Sequence, residues 1–251
     1  MVIWAGYCNC PRAEVHEFNF VPSTRFFRSI ECRKSPCVGA EIELFLDGAE
    51  CRETATNHVW REISPTMRHL LYCKEDSTIG NGVEFVTHPF TKKFLRENKT
   101  DFQQFFSIAT GVGFEARPCC GLHLSLSMSD FSPSHLYRFL RLMYGFPQFW
   151  LQVSGRDRQR FLDWCNLFRY GDGSGVHPER QIVRWAKRRR SSRHGISLSR
   201  NRAEVRIWNG VDTFAGLRSA VDITHEAFKY SQITPVEQIS PDGFTNFSEV
   251  L

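Results

Sequence analysis

No apolar run in this sequence approaches the length that spans a bilayer, and Met1-Val2-Ile3-Trp4 lacks the charged start and long apolar core of a signal peptide. A membrane or exported protein is therefore not expected. The nine cysteines, an odd number, read as free thiols of a cytoplasmic protein. Internal repeats and low-complexity segments are also missing, which excludes a repeat array or a linker-like chain. Nor is there a large excess of one charge. The net charge of +5 suits an anionic ligand but identifies none. What is present is 251 residues with 22 Phe, enough apolar material for one sizeable globular core.

Residues 1–36 read as an N-terminal appendage of uncertain structure. Cys8, Cys10, Cys32 and Cys37 are spaced C-x-C and C-x4-C, which departs from the usual zinc knuckles, so free thiols are expected there. The organised part begins at Val38-Gly39-Ala40-Glu41-Ile42-Glu43-Leu44-Phe45-Leu46, whose alternation predicts a strand with Glu41 and Glu43 on one face. Helical spacing follows from Ala55 to Tyr72, with a start or kink at Pro65, then a turn-rich stretch from Cys73 to Gly82. Strands are expected over Val83–Thr87, Gly121–Met128, Gly195–Ser199 and Ala203–Trp208. Helices are expected over Phe94–Ile108, from Pro133 behind an N-capping Ser132, over Asp157–Phe168, Pro178–Arg190 and Thr213–Tyr230. A flexible loop over Gly171–Gly175 and an irregular tail from Thr234 to Leu251 complete the reading.

Each strand opposes an apolar face with Glu41 and Glu43, Glu84, His123 with Ser125, or Glu204 with Arg206. That pattern predicts an α+β fold, with helices packed on one side of a mixed or antiparallel sheet. Four carboxylates at strand centres, with almost no Lys beside them, point to divalent cations rather than to a merely solvated face. Oxygen donors with a single imidazole suit Mg²⁺ or Mn²⁺ better than Zn²⁺, and two such ions would clamp phosphate oxygens.

The ordered set G-x-E-x-E, D-S-x(5)-G-V-E-F-V-T-H-P, C-G-L-H-L-S-L-S and E-V-R-I-W-N-G resembles the amidoligases, a branch of the superfamily that contains glutamine synthetase and glutamate–cysteine ligase. The resemblance spans about Val38 to Gln232. It implies a glutamine synthetase-like curved, mainly antiparallel sheet with a polar metal-binding face, and a catalytic domain over residues 37–233. It also implies two Mg²⁺ sites. Glu41, His123 and Glu204 would hold the ion that contacts ATP; Glu43 and Glu84, with Asp76 as a third ligand, would hold the ion nearer the acceptor carboxylate. Arg206 would meet the transferred phosphoryl group or the substrate carboxylate, and Glu43 would serve catalysis through its ion. Ser125 departs from the family pattern, standing on the nucleotide side where a second His commonly follows the first. The implied activity is ATP- and Mg²⁺-dependent joining of a carboxylate to an amine through an acyl phosphate. Small molecules, peptides and proteins are all open as substrates, and so is oligomerisation.

The basic run Lys187-Arg188-Arg189-Arg190-Ser191-Ser192-Arg193 supports a rival reading as a nucleic-acid-binding module. In a ligase, Arg189, Arg190 and Arg193 would instead bind the triphosphate or an acidic substrate. A catalytically inactive descendant that binds a partner is the other alternative. The intact acidic set argues against both.

Overall fold

The computed structural model describes residues 13–27, 35–48, 51–167 and 194–249. In chain order these form β1 (Val15–His16), β2 (Cys37–Leu46), α1 (Arg52–Glu62), α2 (Pro65–Leu70), β3 (Leu71–Lys74), β4 (Gly82–Thr87) and β5 (Phe90–Thr91). They continue as α3 (Lys92–Glu97), α4 (Lys99–Gly111), β6 (Phe114–Glu115), β7 (Gly121–Ser127), α5 (Pro133–Gly145), α6 (Pro147–Val153) and α7 (Arg158–Trp164). The last elements are β8 (Ile196–Leu198), β9 (Arg202–Asn209), α8 (Phe214–Ile233) and α9 (Pro241–Glu249).

The ten-residue β2 lies at the centre of the sheet, whose order is β1-β3-β4-β2-β7-β9-β8, with β5 and β6 pairing the two ends of β2. Pairing is antiparallel throughout these ladders except where β1 runs parallel to β3. Val38, Ala40, Ile42, Leu44 and Leu46 of β2 are fully enclosed in the core, as alternation predicts. Phe85 of β4 meets Phe105 of α4 edge-on at 5.2 Å and Phe114 at 5.5 Å, so sheet and helix close on each other through aromatic contacts. Phe85→Ala should destabilise the fold by about 3–5 kcal/mol, measured as a lower urea midpoint with an unchanged slope.

Local chemistry sets the helix starts. Ser132 Oγ accepts from His135 N at 3.2 Å ahead of Pro133, and Thr213 caps α8 through Gly216 N at 3.2 Å. The expected stripe Leu136, Phe139, Leu140 and Met143 is buried, and α8 buries Leu217, Ala220, Val221, Thr224 and Phe228.

Several boundaries differ from the sequence reading. The Ala55–Tyr72 helix is two helices, separated where Ser64 caps α2, and its last residues leave helix for strand β3. Four residues of pairing with β4 outweigh the helical spacing there. The Phe94–Ile108 helix divides at Asn98, and α7 stops at Trp164 rather than Phe168. The tail is not irregular as far as it is described. A 3₁₀ turn over Val236–Gln238 leads into α9, whose Phe244 packs at 5.6 Å from Trp150 and 5.7 Å from Tyr230. The described part of the N-terminal appendage is tied to the sheet, through β1 and a bridge between Phe27 and Phe90. Cys8, Cys10 and Cys32, the Gly171–Gly175 loop and the Pro178–Arg190 helix lie outside the described residues.

Candidate metal centre

The register of β2 against its neighbours assembles the polar face. Glu41 stands opposite His123 of β7, and Glu43 opposite Glu84 of β4. Ser125 of β7 stands opposite Glu204 of β9. A β-bulge in the β7–β9 ladder falls between Leu122 and Leu124, beside His123.

His123 is the hub. Its Nδ1 lies 3.4 Å from Glu41 Oε2 and 4.0 Å from Glu204 Oε1, while Nε2 lies 3.4 Å from Glu43 Oε1. Two donor groups result, Glu41–His123–Glu204 and Glu43–Glu84–His123, each with ligand atoms within 4.8 Å of one another. All five residues are buried. Gly121 N donates to Glu43 Oε2 at 2.6 Å, fixing that carboxylate.

Four cations surround these acids. Arg202 Nη1 reaches Glu41 Oε1 at 2.9 Å, and its Nη2 reaches Glu204 Oε2 at 2.8 Å. Lys74 Nζ is 3.1 Å from Glu84 Oε2, and Arg206 pairs with Glu204 Oε1. Arg156 is different. Only 8 % exposed, it anchors Nε on the carbonyls of Ile207 and Trp208 at 3.2 and 3.1 Å, and among the described residues it has no ion pair. A Cβ on Gly121 would lie 2.6 Å from Arg156 Nη2 and 3.1 Å from His123 Nε2, so only glycine leaves room for that guanidinium.

The charge balance is incomplete even so. Burial, reinforced by Glu41, pushes Glu84 up to about 8 against the pull of Lys74. Burial also raises Glu43, with Asp76 adding to it against the pull of His123. Burial acts the same way on Glu41, but His123 and Arg202 more than offset it and hold that carboxyl well below its ordinary range. His123 is raised, because Glu43 and Glu41 outweigh the effect of burial. Glu84 thus keeps a proton near neutrality, where a cation would replace it. Oxygen-rich donors with one imidazole fit Mg²⁺ or Mn²⁺.

A pH dependence follows. Glu84 must ionise and His123 must lose its proton to bind a cation, so affinity should climb at least tenfold per pH unit up to pH 8. Calorimetric Mn²⁺ titrations across that range check it; a pH-independent affinity would contradict it.

Two cavities open on the centre. The larger, about 1000 Å³, is lined by Glu41, Tyr72, Lys74, Ser125, Arg200 and Arg202, and also by Phe18, Phe20 and Phe26. The smaller, about 170 Å³, is lined by Glu43, Asp76, Cys119, His123, Arg156 and Arg206. Glu41 and Glu43, two residues apart, therefore face different spaces.

The other residues singled out from sequence fall as follows. Asp76 lines the small cavity but is not in either donor group; its Oδ1 caps the 3₁₀ turn over Ser77–Ile79 through Thr78 N at 2.7 Å. The Ser125 hydroxyl is enclosed at the large cavity and, among the described residues, has no hydrogen-bond partner. Arg206 reaches the small cavity. Arg189, Arg190 and Arg193 lie outside the described residues. Sequence reading missed Lys74, Arg156 and Arg202. Alternation with Glu204 and Arg206 marks Arg202, whereas Lys74 was hidden in a misread strand. Arg156, in the turn after Gly155 (φ +73°), carries no sequence signal.

Fold and site together define an α+β chain with a buried centre of four carboxylates and one imidazole on a sheet face. No family model and no curated protein sequence matches the chain. Among solved structures it is similar to a novel glutamine synthase homolog, at 11% identity and TM-score 0.41, over 83% of this chain and 57% of that one. It is also similar to the complex between the prokaryotic ubiquitin-like protein Pup and its ligase PafA, at 12% identity and TM-score 0.39, over 86% and 51%. The chain thus spans little more than half the length of either. Likeness at these scores adds nothing to the chemistry of the site.

Proposed function

We propose that the protein is an ATP- and Mg²⁺-dependent carboxylate–amine ligase that forms an amide or peptide bond through an acyl phosphate. The observation that carries this reading is the pair of donor groups sharing His123 at the junction of a large and a small cavity. Glu41, His123 and Glu204 would hold the ion on the nucleotide side, and Glu43, Glu84 and His123 the ion on the acceptor side, with Asp76 beside it. Bound there, the ions would neutralise phosphate oxygens and polarise the phosphorus.

The chain's own groups suit the rest of the task. The large cavity takes a nucleoside triphosphate, with Arg202, Lys74 and the Ser125 hydroxyl near its phosphate end. In the small cavity, Arg156 and Arg206 orient the acceptor carboxylate toward the γ-phosphorus. One carboxylate oxygen forms a bond to phosphorus as the bond to ADP breaks. An amine then attacks the acyl carbon, phosphate leaves, and the amine's proton leaves with it. Six free cysteines among the described residues support a reducing, cytoplasmic setting, and no described helix is long and apolar enough to cross a membrane.

Hydroxylamine trapping tests this reading. Protein, ATP, Mg²⁺, hydroxylamine and a cell extract should yield a hydroxamate and equimolar ADP by mass spectrometry, both formed about a hundredfold more slowly with Glu43→Gln. ADP release without any hydroxamate or amide, or with AMP as the nucleotide product, would refute it.

A further inference from the structure

Three of the four carboxylates of the centre, all but Glu43, are already held by Lys or Arg of the chain, and two of those cations, Arg202 and Lys74, line the large cavity. Arg202 spreads its fork across Glu41 and Glu204, the two carboxylates of one donor group, at 2.9 and 2.8 Å. Lys74 holds Glu84, a carboxylate of the other group, at 3.1 Å. Arg202 is 47 % exposed, so its side chain is not locked by packing; Lys74, 14 % exposed, is more enclosed but has its ammonium held by Glu84 at the cavity it lines. Arg156 and Arg206 differ. Arg156 is pinned by two carbonyls, and Arg206 pairs with Glu204 from the small-cavity side.

A divalent ion bound to Glu41 and Glu204 would stand within a few ångströms of the guanidinium and compete for the same lone pairs. We infer that Arg202 and Lys74 are internal counterions that a divalent cation displaces, and that the displaced Arg202 then serves as a phosphate ligand in the large cavity. Glu41, Glu84 and Glu204 are thereby charge-paired before the metal arrives. The same exchange couples the two ligands. Metal binding frees a guanidinium for phosphate, and phosphate binding removes a competitor from the metal donors, so each must strengthen the other by the same factor. Arg202 is a positioning residue in this scheme, acting on the metal donors in one state and on phosphate in the other. The inference rests on the metal reading of the centre proposed above.

The test uses Mn²⁺ alone, with no nucleotide, on the full chain. Wild type, Arg202→Met, Arg202→Lys, Lys74→Met and Glu41→Gln are titrated by electron paramagnetic resonance. Arg202→Met should bind Mn²⁺ about tenfold more tightly than wild type, the equivalent of one charge-assisted bidentate pair removed. Lys74→Met should bind more tightly as well, Arg202→Lys should be intermediate, and Glu41→Gln should bind more weakly. A second readout uses wild type only, so a variant that fails to fold does not remove the test. Phenylglyoxal modification of Arg202, followed by peptide mass spectrometry, should accelerate when Mn²⁺ is added. If Mn²⁺ binds wild type and is weakened by Glu41→Gln, yet Arg202→Met binds no more tightly and labelling does not rise, the counterion exchange is wrong and the metal centre stands. If neither wild type nor any cation-removing variant binds Mn²⁺, the metal reading fails and takes this inference with it.

Discussion

His123→Ala is expected to abolish divalent-cation binding at both donor groups, whereas Glu41→Gln and Glu43→Gln should each impair one. The imidazole is common to both groups, with Nδ1 facing Glu41 and Glu204 and Nε2 facing Glu43. Its removal also deletes the nitrogen donor of both groups and, with Arg202, one of the groups that hold Glu41 ionised. Glu41→Gln should weaken binding of a nonhydrolysable ATP analogue with Mg²⁺, because Glu41 lines the large cavity. Glu43→Gln should leave that binding nearly intact and slow phosphoryl transfer about a hundredfold, roughly 3 kcal/mol, because Glu43 faces the small cavity. The His123 variant should lose on the order of a thousandfold in acid-dependent ADP release. Calorimetry with Mn²⁺ separates binding from turnover. Equal metal affinity in wild type and His123→Ala would mean that the acids are a structural ion network.

The second large effect is expected at Arg156. A buried guanidinium without a carboxylate partner costs stability unless an anion arrives; Arg156, which has none among the described residues, stands in a 170 Å³ cavity with Arg206. Arg156→Met should therefore leave the melting temperature unchanged or raised, and leave metal binding intact. Acid-dependent ADP release should fall about a hundredfold, mainly through a higher KM for the acid. Gly121→Ala should reproduce part of the loss, since its methyl group would meet Arg156 Nη2 at 2.6 Å and displace the side chain without removing its charge. A melting temperature lowered by Arg156→Met with an unchanged KM would identify Arg156 as a clamp on the Ile207 and Trp208 carbonyls only.

Much of the frame was legible because it depends on local period. Strict alternation in β2 and β7 separates apolar from polar residues by geometry alone, so Ile42 and Leu122 go inward while Glu41, Glu43 and His123 share the other face. Capping by Ser132 and Thr213 is equally local, and their helices start where those residues stand. The boundary errors are of another kind. Leu71–Lys74 has helical neighbours and becomes a strand only because β4 offers it a partner, and α9 forms where Phe244 finds Trp150 and Tyr230.

In the centre, the sequence by itself determined the acids and the imidazole as one set, since period 2 places them on strand faces whatever the register. Only the tertiary structure decided how that set divides. Strand register set Glu43 against Glu84 and Glu41 against His123, making the imidazole common to two groups. It also brought in Arg156, 33 residues from His123, and Arg202, 161 residues from Glu41, and it turned Lys74, ten residues before Glu84, onto that acid across the β3–β4 ladder. Lys74 and Arg156 follow no period, because a counterion is chosen by proximity in space, and proximity in space is fixed by the fold.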